Sequence, residues 1–175
     1  MNLKRITAVV GTFTLITSLF IAGCGSNTTN NDKVWRVGTD ATYAPFGFKE
    51  KNTGKLDGFD IDIINAIAKD EGAEVDIQNL NFDALLPALQ SNTLDIAISD
   101  MTISEERARS VDFSNPYYIA GSGLVVNTDN TNITSFKDLE GKRIGVSIGS
   151  TGAEIAGKIP NADVRQFNLI IDAFL

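Results

Sequence analysis

The chain has no histidine and a single cysteine in 175 residues. Without imidazole, the His-based nucleophilic triads are excluded and the commonest metal ligand is missing. With one thiol there is no internal disulfide and no thiolate metal cluster. Positive charge is also short: 15 Lys and Arg stand against 22 Asp and Glu, for a formal charge of −7. An acidic chain of this kind is unsuited to a nucleic-acid surface. Neither a metal nor any other cofactor is expected. Long apolar runs are lacking as well, with one exception at the N-terminus, where Ile6 to Ala22 carries no charge and follows Lys4 and Arg5.

A membrane-spanning helix wants ~20 apolar residues. Here the basic start, the apolar run and the small residues that end it predict a signal segment over 1–23. Ile21-Ala22-Gly23-Cys24 resembles the lipobox of bacterial lipoproteins, which implies that Cys24 is lipid-modified and begins the mature chain. The competing reading is an ordinary thiol, which would be unusual alone in an oxidising compartment. Loss of Lys4 and Arg5 with the leader takes the formal charge from −7 to −9. Residues 24–33, rich in Asn, Thr and Ser, read as a flexible tether. The expected location is extracytoplasmic, either lipid-anchored on the outer face of the membrane or periplasmic.

Beyond the tether, strands and helices alternate. Val34–Thr39, Val75–Leu80 and Leu94–Ser99 are predicted as strands, and Val111–Phe113 and Ile119–Val126 look extended again. Ile63, Ile64, Ile67 and Ala68 have helical spacing, with Gly72 as the stop, and Asp83–Gln90 forms a second helix with Pro87 near enough to its first turn to be tolerated. A short helix starts at Glu105. Asp40–Phe48 reads as a loop. A further unit begins near Thr131, with a capping box at Ser135 and Asp138, a strand over Arg143–Ser147, a helix at Ala153–Ala156, a strand over Val164–Phe167 and a helix start at Leu169. The pattern predicts an α/β fold with crossover helices, whose ligands lie beyond the carboxyl ends of the strands. This last unit, at about 45 residues, is short of a good core of its own, so a continuation of the chain is expected.

The chemistry concentrates between Leu94 and Arg107. A strand runs out at Ser99-Asp100 into a helix start that carries an arginine, so hydroxyls, free N–H groups, a carboxylate and a guanidinium sit close together. A small zwitterion needs this set: its carboxylate takes Arg and amide donors, its ammonium an anion or a carbonyl. Arg107 has two readings, a solvated residue paired weakly with Glu105 or Glu106, or a bidentate carboxylate clamp. Tyr43, Phe46 and Phe82 are core aromatics or the walls of a pocket. Asp40 is a helix or turn cap, or a partner for a ligand ammonium. Asp60 and Asp62 read as solvated residues of a helix start. Gly149-Ser150-Thr151-Gly152 has an anion-binding shape but lacks the lysine of a P-loop.

Together these residues resemble the extracytoplasmic solute-binding proteins of polar amino-acid ABC transporters. The motifs that carry the resemblance are Val37-Gly38-Thr39-Asp40 with Tyr43-Ala44-Pro45-Phe46, Gly58-Phe59-Asp60-Ile61-Asp62-Ile63, Phe82-Asp83 with Leu86-Pro87-Ala88-Leu89, Met101-Thr102-Ile103 through Glu106-Arg107, and Asp112-Phe113-Ser114 with Pro116-Tyr117-Tyr118. The resemblance implies a two-lobed clamshell: lobe 1 essentially complete over 34–118, a first hinge strand over 119–125 and a partial lobe 2 over 126–175. It implies that Arg107 and the Thr102 amide hold a ligand α-carboxylate, joined by Ser150 and Thr151. Tyr43 and Phe82 would cover the side chain, Ser99 would take the ammonium, and Asp40 would lie near the side-chain end. Asp100 stands where many members of such a family carry Gly or Ser. It either favours a basic ligand such as Arg or Lys, or points away and caps the following turn. The implied partners are a free amino acid, a membrane permease and the membrane itself, with the protein a monomer and not an enzyme. A lyase of the cyclohexadienyl-dehydratase type on the same fold, or the binding module of a sensor, are the alternatives.

Overall fold

The computed structural model of the protein describes residues 33–174. The expected leader, Cys24 and nearly all of the tether lie outside the described residues. β1 (Lys33–Thr39) opens the fold and is followed by a small antiparallel unit of β2 (Thr42–Tyr43), β3 (Gly47–Lys49) and β4 (Leu56–Asp57). The 40–48 segment is therefore a hairpin rather than the expected loop, its strands too short for alternation to show. α1 (Phe59–Asp70) buries Ile61, Ile64 and Ala68 on one face, with Asp60 and Asp62 in its first turn and Lys69 in its last, as the helix dipole favours. Gly72, at φ 61°, ends it.

β5 (Ala73–Asn79) pairs with β1 in parallel along its whole length, from Lys33–Ala73 to Thr39–Asn79. α2 (Phe82–Gln90) follows, with Pro87 in its second turn rather than near its first. The ring withholds the N–H that the Asp83 carbonyl would otherwise accept, and Asp83 is exposed, so water can serve instead. β6 (Ile96–Ala97) completes the sheet in the order β5-β1-β6. It is shorter than the predicted Leu94–Ser99, because only Ile96 and Ala97 pair in register with Val37 and Gly38. The chain still tracks β1 on either side: Asp95 donates to the Arg36 carbonyl and Ile98 to the Gly38 carbonyl, both at 2.9 Å.

Val37, Ile64 and Ile98 form the centre of the core, with Trp35, Ile63, Val75, Ile77 and Ile96 packed around them. Since β1, β5 and β6 are parallel, their carboxyl ends share one edge. The loops that begin at Asp40, Leu80 and Ile98 all leave from it.

α3 (Glu105–Ala108) is a single turn capped by Ser104. The segments Val111–Phe113 and Ile119–Val126, expected to be extended, form no strand, and the predicted hinge strand over 119–125 has no ladder partner among the described residues. A strand needs a neighbour to take its N–H and C=O groups, and here Ile119 and Val125 are exposed. The capping box expected at Ser135 and Asp138 opens a 3-10 turn over Phe136–Leu139. β7 (Arg143–Ser147), α4 (Thr151–Ala156) and β8 (Asp163–Phe167) then make a parallel pair with its crossover helix. The helix predicted from Leu169 is a 3-10 turn over Ile170–Phe174.

Candidate functional site

The site is built on the shared strand edge by a continuous chain of contacts. Ser99, buried just past β6, accepts the Asp40 N–H on its hydroxyl at 3.0 Å. The Asp40 carboxylate accepts the Thr42 hydroxyl at 2.7 Å and the N–H of Phe82, the first residue of α2, at 3.1 Å. Both of its oxygens are thus engaged within the protein, one of them in capping α2, whose own Asn81 side chain makes no cap bond. Phe82 in turn lies under Arg107, with the guanidinium carbon 5.6 Å from the ring centroid.

Arg107 is only 5 % exposed, which disposes of the reading as a solvated residue paired with Glu105 or Glu106. Its Nη1 donates to the Thr102 carbonyl at 2.8 Å and its Nη2 to the Gly149 carbonyl at 2.9 Å, while Glu154 Oε1 lies 3.5 Å from Nη2. A buried cation must be paired or hydrogen-bonded, and here acceptors from two separate parts of the chain do this. Gly149, at φ 69°, sits tightly enough against Asp83 that an added Cβ would come within 3.1 Å of the Asp83 Cβ. The turn that carries the Gly149 carbonyl therefore rests on the first turn of α2.

A second polar cluster lies beside the first. Asp60 is completely buried, not a solvated helix-start residue. Its Oδ1 accepts the Tyr117 hydroxyl at 2.8 Å and its Oδ2 the Asp100 N–H at 3.0 Å; that N–H is also 3.0 Å from the Tyr117 oxygen. Burial raises the Asp60 pKa, and the two donated bonds oppose the rise. Burial, with the bond to Asp60, raises that of the Tyr117 hydroxyl. Asp100 adopts φ 44°, an uncommon conformation for a residue other than glycine. Its carboxylate takes none of the N–H groups of the following turn, so the capping role considered for it is absent. Burial and then the neighbouring Asp60 charge raise its pKa.

The predicted residues do not all meet in one cavity. Arg107 and Ser150 share a space of about 440 Å³ with Glu106, Gly149 and Glu154. Ser99, Asp100 and Thr102 line another of about 450 Å³, walled by Ile98, Phe113 and Tyr117. Each has room for a small molecule. Asp40, Tyr43, Phe82 and Thr151 line neither. Tyr43 is about half exposed and stacks on Phe46, with centroids 5.9 Å apart. The Ser150 hydroxyl accepts the Ala153 N–H at 3.1 Å and so caps α4. Glu154, the Gly149 carbonyl, Asp60 and Tyr117 are the groups that the residue-by-residue reading missed as site members. Tyr117 lies inside a quoted motif, whereas nothing local marks Glu154.

The family model for bacterial extracellular solute-binding proteins, family 3, matches residues 35–174. The chain belongs to that family. A probable histidine-binding protein of Campylobacter jejuni is 39% identical to it over 171 residues, or 93% of this chain and 65% of the relative. Among solved structures, an ancestral arginine-binding protein bound to arginine superposes with a TM-score of 0.75 at 47% identity, over 81% of this chain and 63% of its own. The ancestral amino acid-binding protein AncCDT-1, a precursor of cyclohexadienyl dehydratase, superposes over the same shares with a TM-score of 0.74 at 45% identity. This family member therefore spans less than two thirds of the length of these proteins. Its fold is the α/β binding-protein fold with the second lobe in part.

Proposed function

We propose that this chain is the solute-binding part of an ABC importer, and that it takes a polar amino acid, a basic one included, for delivery to a membrane permease. The observation that carries this reading is the buried Arg107, held between the Thr102 carbonyl and the Gly149 turn with Phe82 on its face. A guanidinium so fixed loses little entropy when it takes a carboxylate in a two-pronged pair. Relatives named for histidine and for arginine support an amino-acid ligand. In this reading Arg107 and the Thr102 N–H hold the α-carboxylate with Ser150 and Thr151 opposite, and Ser99 receives the ammonium. Tyr43 and Phe82 flank the side chain, and Asp100, whose carboxylate has no partner among the described residues, faces its far end. Asp40 acts indirectly, by fixing Ser99 and Phe82. The lobes divide at 118, with residues 119–125 as the link, and the protein works as a monomer anchored through a lipid on Cys24.

A thermal-shift screen of the twenty amino acids tests the reading, because a ligand stabilises the state that it binds. A shift confined to polar amino acids is expected, and none with any amino acid would overturn the proposal. By calorimetry, Arg107→Ala is expected to weaken the best ligand by about 2 kcal/mol or more. Unchanged affinity would remove Arg107 from the site. The likeness to a dehydratase precursor makes a lyase the second reading. Turnover of a prephenate-type substrate would favour it over a pure binder.

A further inference from the structure

Arg107 is not an empty clamp. A guanidinium has five N–H groups in a fixed planar fork. A carboxylate docks on it with two parallel bonds in either of two ways, on Nη1 with Nη2 or on Nε with Nη2. Both ways use Nη2. In this protein Nη2 already faces two acceptors, the Gly149 carbonyl at 2.9 Å and Glu154 Oε1 at 3.5 Å. A ligand carboxylate must therefore displace one of them.

The two acceptors are not equally displaceable. The Gly149 carbonyl belongs to a left-handed turn pressed against Asp83, so moving it means moving backbone. Glu154 is a side chain on α4 with the longer contact, and it is 37% exposed. It can swing into water without disturbing the helix. It is also chemically the same group as the incoming one, a carboxylate on a short tether.

We infer that Glu154 is a resident competitor for the Arg107 clamp, a placeholder that a ligand carboxylate must evict, and so a residue that sets ligand affinity. This rests on the amino-acid reading of the site. While the ligand is absent, Glu154 neutralises a cation that is almost wholly buried. Its presence at Nη2 also raises the demand on the ligand: only an anionic group able to make both bonds repays the lost pair, which disfavours amides and alcohols at that position.

The test uses Glu154→Gln and Glu154→Ala, with Glu105→Gln as a control that removes the same charge from the exposed first turn of α3, outside both cavities. Two measurements are made on each. In the ligand-free protein, the rate of Arg107 modification by phenylglyoxal is followed by mass spectrometry. Affinity for L-arginine and L-histidine is measured by calorimetry. The pair is long, at 3.5 Å, and its carboxylate reaches solvent, so both Glu154 variants are expected to react about two- to fivefold faster and to bind about two- to fivefold tighter. Glu154→Ala, which leaves no acceptor, should gain at least as much as Glu154→Gln. Glu105→Gln should change neither quantity. Weaker or unchanged binding in the Glu154 variants would overturn the inference, as would an equal gain in Glu105→Gln. If neither the parent nor the variants take up an amino acid, the importer reading fails, and an unchanged phenylglyoxal rate would still separately refute occupancy of Arg107 by Glu154.

Discussion

The N-terminal region, from β1 to Tyr118, and the C-terminal region, from the 3-10 turn at Phe136 onward, are both α/β in pattern, yet they handle polar groups in opposite ways. The first buries Val37, Ile61, Ile64, Leu85, Leu94 and Ile98, and within that shell it also buries Thr39, Asp40, Asp60, Ser99 and Arg107. The second buries Leu139, Val146 and Ala156, and leaves Ile171 and Phe174 exposed. Its ion pair, Arg165 with Asp163, lies on the surface within one strand. A polar group can be held dry only where a core surrounds it and supplies its partners. The rigid half of the candidate site therefore belongs to the first region, and the second contributes acceptors that approach it, the Gly149 carbonyl and Glu154.

The strongest way to break that comparison is with glycines. Gly58 adopts φ 126°, and a Cβ there would come 2.3 Å from the Phe46 carbonyl oxygen. Gly141, in the second region at φ 68°, has open space around the same position. Gly58→Ala meets both backbone strain and a clash with main chain, and is expected to cost about 4 kcal/mol or more. Gly141→Ala meets strain alone, at roughly 1–2 kcal/mol. Urea denaturation of the two variants checks this. Equal losses would mean that the regions are packed alike.

A smaller effect separates buried from exposed carboxylates. Asp60→Asn keeps an oxygen for the Tyr117 hydroxyl but turns an amide donor toward the Asp100 N–H, which keeps only the Tyr117 oxygen at 3.0 Å, so that two donors face each other. A loss of about 2 kcal/mol is expected, in the range for a buried donor, here the new amide, without an acceptor. Asp163→Asn removes only a surface pair, and its stability should stay within about 0.5 kcal/mol of the parent. Thermal unfolding followed by circular dichroism distinguishes them, and a harmless Asp60→Asn would remove the polar frame from the account.

The same contrast explains what could be read from the sequence. Elements with a clear apolar period were legible: β1, α1, β5, α2, β7 and β8 lie where alternation or helical spacing put them, within a few residues. The β2-β3 hairpin was not, because strands of two and three residues carry no period. The segment 119–126 has β-forming residues but no partner strand among the described residues, and propensity cannot supply one. In the site, the chemistry of Arg107 was visible but its burial was not, since the Gly149 carbonyl that holds it comes 42 residues later. Asp60 was misread as solvated for the same reason: local charge pattern fits a helix start, and its decisive partner, Tyr117, is 57 residues away.

The smallest expected effect concerns acid. Arg36 and Asp95 also form an exposed pair, but unlike Arg165 and Asp163 they tie β1 to the residue that leads into β6. Arg36 donates its N–H and its Nε to Asp95 Oδ2 at 2.9 and 3.0 Å and its Nη2 to Oδ1 at 2.6 Å. These bonds lower the Asp95 pKa from 3.8 to about 2. A carboxylate held below its unfolded value binds fewer protons folded than unfolded, so its contribution to stability is full above about pH 4 and fades as the pH falls toward 2. Asp60 acts in the opposite sense: its pKa is raised by burial, so the cost of its charge is relieved as protons bind. Asp95→Asn should accordingly flatten the fall in stability between pH 4 and pH 2, whereas Asp60→Asn should change the profile above about pH 4, where the raised carboxyl takes up its proton in the folded state first. Unfolding midpoints in urea on both sides of pH 4 read both slopes. If Asp163→Asn flattened the profile as much as Asp95→Asn, the link from β1 to Asp95, rather than the charge alone, would no longer account for the acid sensitivity of the first region.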